Sequence, residues 1–80
     1  MATVMQLVPG DLVTSGPESA LFVTRTIHAD HPHLMLVVWQ LSDGTWSFDA
    51  LHPDQQVGQV TPSTIRERTD RLRTALTGSP

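Results

Sequence analysis

Short apolar and β-branched runs alternate with turn-forming clusters along most of the chain, and only from Thr61 onward does the period change. Pro9-Gly10-Asp11 is turn chemistry ahead of a short strand beginning at Leu12, and Ser15–Ser19 is a second turn. Ala20–His28 reads as a strand with no breaker inside it. His28–His33 follows as a loop, because Pro32 has no N–H for a ladder and holds His31 extended. Leu34–Leu41 is a strand apolar on both faces, and Asp43-Gly44 predicts a tight hairpin into a return strand over 45–51. His52-Pro53-Asp54 then turns the chain into a last short strand over 55–60. Beyond it the pattern is helical over about 62–77. Pro62 suits a first helical position, Thr64 with Glu67 offers a capping box, and Gly78 stops the run. Ile65, Leu72 and Leu76, with Thr69 and Ala75 beside them, form its apolar stripe.

A two-residue turn at Asp43-Gly44 fixes every later cross-strand pair. Leu41 then meets Trp46, Trp39 meets Phe48, and Val37 meets Ala50. Met35, Val37, Trp39, Leu41, Trp46, Phe48 and Ala50 share one face in that register, and this face is the expected core. The other face carries Leu34, Leu36, Val38 and Gln40 against Ser47, Asp49 and Leu51. It is half apolar, so a cover is expected, either the C-terminal helix or a second copy of the chain.

Composition narrows the picture. Eighty residues suit one domain, 1–80, but a chain of this size buries only roughly 60–65 % of its unfolded surface, so a partner or a metal would add stability. The chain has no cysteine, which excludes disulfides, thiolate nucleophiles and cysteine-held zinc, and accords with a cytoplasmic protein. Its longest apolar run, Leu34–Trp39, is far short of the ~20 residues that span a bilayer. Met1–Val8 lacks the basic start of a signal peptide. The net charge of −3 is unevenly spread: six acids face one arginine up to Val60, whereas four arginines outnumber two acids after it. An acidic body argues against a general nucleic-acid binder, whose affinity rests on neutralising phosphates.

Candidate chemistry is sparse. The same register sets His52 opposite Met35 and Asp54 opposite His33, so His28, His31, His33 and His52 gather at one end of the sheet with Asp30 and Asp54. Imidazole and carboxylate are zinc ligands, and those four histidines are the candidate metal set. Their spacing matches no zinc signature and loops favour polar residues, so no cofactor is expected and zinc is the alternative. Trp39 and Trp46 either fill the core or line an aromatic groove; their apolar neighbours on the same face favour the core. Leu36, Val38 and Leu51 on the opposite face, with Arg66, Arg71 and Arg73 on the helix, are the candidate partner contacts. A nucleic-acid regulator using the helix arginines is a further alternative. No nucleophile elbow, P-loop, dinucleotide fingerprint or H-E-x-x-H occurs. Asp49 and His52, one acid/base pairing, alternate to opposite strand faces, so an enzyme is not expected.

The run Val8–His28, with Gly10-Asp11-Leu12-Val13 and Gly16, resembles the opening of SH3-like barrels of the KOW type, in which a Gly-Asp turn starts a strand and a loop leads to the next. That resemblance implies a small barrel. The basic residues and second loop glycine that accompany nucleic-acid binding in that family are absent here. In composition, with arginine as its only basic residue besides histidine, the chain also resembles small proteins of GC-rich actinobacteria and their phages. The expectation is a mainly β domain: a five-stranded antiparallel SH3-like barrel or curved sheet with one C-terminal amphipathic α-helix. It would act as a non-catalytic module that binds a protein or a second copy of itself.

Overall fold

The computed structural model describes residues 2–78. Five antiparallel strands, β1 (Leu12–Ser15), β2 (Glu18–Ile27), β3 (Met35–Leu41), β4 (Trp46–Leu51) and β5 (Gln59–Val60), form one sheet in the order β4-β3-β2-β1-β5. A 3-10 turn, Val4–Gln6, precedes them and a helix, α1 (Ile65–Thr77), follows. The sheet is open, with β4 and β5 as its edges, so of the two expected forms the open sheet is observed and barrel closure is not.

The β3–β4 hairpin exists where its turn residues place it, but its register differs from the expected one by a single residue. Three residues, not two, make the loop: Gly44 adopts φ 88°, its N–H donates to the Leu41 carbonyl at 2.9 Å, and the Leu41 N–H donates to the Thr45 carbonyl at 2.8 Å. This is a turn followed by a bulge at a left-handed glycine, the common three-residue hairpin loop. Asp43 Oδ1 steadies it by accepting from the Thr45 N–H at 2.9 Å. Gln40 therefore pairs with Trp46, Trp39 with Ser47, Val38 with Phe48 and Val37 with Asp49. Because side chains alternate, a slip of one residue sends a whole strand's side chains to the other face. Trp46, Phe48 and Ala50 leave the expected core, and Ser47, Asp49 and Leu51 replace them beside Met35, Val37 and Trp39.

A second irregularity aligns β2. Phe22 pairs with Trp39 but Thr24 with Val38, so Val23 is an extra residue in a bulge. The bulge keeps Phe22 inward and turns Arg25 to the same face, where its Nη1 donates to the Leu7 carbonyl and its guanidinium lies 5.6 Å from the Phe22 ring centre. Phe22 and Trp39 meet edge to face at 5.7 Å.

The inner face is completed by residues with no role in the sequence reading. Val4 and Leu7 are fully buried in the core with Val13, Phe22, Val37 and Trp39. Val4 donates to the Gln55 carbonyl, and Ala2 and Val57 pair through their backbones at 3.0 Å. The N-terminal segment and the 53–58 connection are thus stitched together across the open side of the sheet. Residues 55–57 serve this purpose, which leaves β5 shorter than the strand expected over 55–60.

On the outer face α1 lies against β1 and β2. Thr64 is its N-cap: Glu67 N–H donates to Thr64 Oγ1 at 3.1 Å, and Thr64 N–H donates to Glu67 Oε1 at 3.2 Å. The helix accordingly starts at Ile65 rather than near residue 62, and Gly78 ends it by donating to the Thr74 carbonyl. Its contact stripe is also rotated from the expected one. Ala75 is buried and Arg68, Arg71 and Leu72 are half-buried, whereas Ile65 and Leu76 are 75 % and 68 % exposed. The seat explains the rotation. Gly10, at φ 95°, lies so close to the helix that a Cβ there would stand 2.5 Å from the Arg68 carbonyl oxygen. Arg71 Nη1 donates to the Gly10 carbonyl at 3.2 Å and to Ser63 Oγ at 2.7 Å, and Arg68 donates to the Ser63 carbonyl at 2.9 Å. Two guanidinium groups, rather than the leucines, orient the helix.

Candidate interaction surface

The helix covers only the β1–β2 half of the outer face. Leu21 beneath it is buried, but Phe48 on β4 is 63 % exposed and Trp46 is 40 % exposed. By pairing, Trp46, Phe48 and Ala50 share this face with Gln40, Val38 and Leu36 on β3 and with Thr24 and Thr26 on β2. Leu36 and Val38 are half-buried. Two aromatic rings beside two aliphatic side chains form an apolar strip bounded by threonines. Large exposed side chains scattered singly need no explanation, but neighbours on one sheet face do.

The expected contact residues divide. Leu36 and Val38 lie on the strip. Leu51 lies on the inner face, paired with Met35 and packed at the margin of the core, because the register slip carries it there. Arg66 and Arg73 are exposed on the helix, Arg73 within 3.7 Å of Asp70. Arg71 is held by its own chain through Gly10 and Ser63, with Glu67 3.8 Å away, so its guanidinium serves the fold. Trp46 and Phe48 are the surface residues that sequence reasoning assigned to the interior. The signal for them was Ser42 ahead of Asp43-Gly44, since a three-residue loop ending in glycine is the next commonest hairpin connection.

The histidines do assemble. Ring centres run from His28 to His31 at 5.2 Å, on to His33 at 5.9 Å, and to His52 at 6.0 Å. They form a row rather than a ring: among the described residues no three histidine or carboxylate side chains are arranged to hold one metal ion. His28 Nδ1 instead accepts the backbone N–H groups of Asp30 and His31 at 3.1 and 3.2 Å, closing the loop locally.

The inner face retains a cavity of about 560 Å³ between β4, the 55–58 segment and the β1–β2 turn. Trp39, Leu41 and Leu51 contribute to its apolar lining, and its charged lining residues are Asp49 and Glu18. Among the described residues, the two carboxyl side chains displaced from their ordinary range lie elsewhere. Hydrogen bonds from Thr45 hold Asp43 low, and those from Thr64, with Arg71 and Arg68 nearby, hold Glu67 low. Both are structural, one in a hairpin loop and one in a helix cap. Among the described residues no helix is long and apolar enough to cross a membrane.

No family model, curated protein or solved structure matches the chain.

Proposed function

We propose that this chain is a non-catalytic interaction module that engages a protein partner through the outer face of β3 and β4, flanked by the exposed side of α1. The observation that supports it most is the strip Leu36, Val38, Trp46 and Phe48, left open beside a helix that covers the other half of the same face. Exposed aromatic side chains supply large contact area at small entropic cost and dominate the centres of protein interfaces. Arg66 and Arg73, with Ile65 and Leu76, are exposed on α1. The SH3-like resemblance of Val8–His28 and a cytoplasmic setting belong to the same reading. The rivals gain less support: the histidines lie in a row, and of the four helix arginines Arg68 and Arg71 bond to their own chain and Arg73 pairs with Asp70.

Equilibrium sedimentation of the wild type against Phe48→Ser tests the surface. Concentration-dependent association that disappears in the folded variant identifies a second copy as the occupant. A monomer whose Phe48 ring is fully accessible to a soluble paramagnetic agent leaves the strip for a different protein. A monomer whose Phe48 ring is shielded by its own helix removes the contact surface.

A further inference from the structure

Strand β4 is an edge, paired to β3 on one side only. The bond from Leu41 N–H to the Thr45 carbonyl sets the phase of the ladder. Antiparallel alternation counted from it directs the backbone N–H and C=O groups of Trp46, Phe48 and Ala50 away from β3, toward the open edge. An extended segment arriving there would find three residues' worth of donors and acceptors.

The two sides of that edge differ in chemistry. Outward, the strand presents the exposed rings of Trp46 and Phe48. Inward, it presents Ser47 and Asp49 over the 560 Å³ cavity, whose lining carries the carboxylates of Asp49 and Glu18 and no basic side chain. An inward-pointing charge on an edge strand discourages pairing with a like strand. A second β4 laid antiparallel with Phe48 opposite Phe48 would set the two Asp49 carboxylates as diagonal neighbours on one face. A strand bringing arginine or lysine opposite the same positions meets the reverse situation, a cross-strand pair of opposite charge.

We infer that the β4 edge takes up an extended peptide of alternating basic and apolar residues as a sixth strand. Its apolar side chains lie against Trp46 and Phe48. Its basic side chains turn inward to Asp49, with Glu18 across the cavity as a second counter-charge and Trp39 and Leu41 beneath the aliphatic stems. The inference rests on the reading of the outer strip as a contact surface and specifies the partner's chemistry.

The probe is a capped octapeptide of alternating arginine and valine, titrated into the isotopically labelled full chain and followed by NMR. The expected result is saturable shifts at the amides of Trp46, Phe48 and Ala50, with slowed hydrogen exchange there. Affinity falls roughly tenfold for Asp49→Asn, the loss of one charge-assisted contact. It vanishes for a peptide with glutamate in place of arginine and for one N-methylated along the edge that would face β4. Equal binding of the N-methylated peptide, unchanged affinity in Asp49→Asn, or no binding at millimolar concentration would overturn the inference. If the peptide fails while Phe48→Ser still abolishes association in sedimentation, the strip stands as a contact surface and the basic-strand partner is wrong.

Discussion

The two faces of this sheet are covered by different means, one from each end of the chain. On the inner face, Val4 and Leu7 insert apolar side chains while their segment pairs its backbone with residues 53–58. On the outer face, α1 buries Ala75 and half-buries Leu72, and Arg68 and Arg71 bond to backbone carbonyls and Ser63. The inner cover is an apolar plug integral to the core. The outer cover is a polar-anchored lid over half a face, which leaves Trp46 and Phe48 open. The centre of one face is thus plugged, apart from the cavity at its β4 margin, while half of the other face is left uncovered.

Substitutions on the two faces should lose stability unequally. Phe22→Ala, in the fully buried core of the inner face, should cost about 3–5 kcal/mol. That is a large share of the ~5–15 kcal/mol available to a domain, and urea unfolding would read it as a large drop in midpoint. A cost comparable to that of Phe48→Ser would mean that the two faces do not differ as described.

Gly10→Ala should have an intermediate effect, on the order of 1–3 kcal/mol, because it combines an unfavourable backbone conformation with a helix carbonyl 2.5 Å from the new Cβ. The predicted signature is selective. Hydrogen exchange should accelerate in α1 and over Leu21 beneath it, with β3 and Phe22 still protected. Uniform acceleration would mean that lid and plug melt as one unit.

The smallest effect concerns the cap. Glu67 has its carboxyl held low by Thr64, so its contribution to helix stability is present at neutral pH and is lost as acid protonates the folded form below the ordinary glutamate range. Helix content measured by circular dichroism should fall over that acid range in the wild type, and this component should be absent in Glu67→Gln. An identical acid profile in both proteins would contradict the capping role.

Much of this architecture is legible in the sequence. Turn residues mark where each hairpin reverses, and the Thr64/Glu67 box and Gly78 bracket the helix. The row of histidines follows from loops that meet at one end of the sheet, whichever register holds. What is not legible depends on single-residue choices. Ser42-Asp43-Gly44 accommodates a two- or a three-residue loop, and the difference of one residue exchanges Phe48 for Asp49 on the inner face. The bulge at Val23 carries no glycine to announce it. Val4 and Leu7 show no strand or helix period, because a plug needs only apolar side chains and a few backbone partners. The stripe of α1 follows the close approach of Gly10 to Arg68 and the Arg71 bond to the Gly10 carbonyl rather than its own hydrophobic period, and no local pattern encodes such contacts.

The register of β3 against β4 underlies all of this, and cross-strand Hα–Hα nuclear Overhauser effects measure it most directly, since such protons approach closely only in non-hydrogen-bonded pairs. Contacts joining Gln40 to Trp46, Val38 to Phe48 and Leu36 to Ala50 are the predicted result. Contacts joining Leu41 to Trp46 or Trp39 to Phe48 would return both aromatics to the interior and leave the proposed surface without its residues.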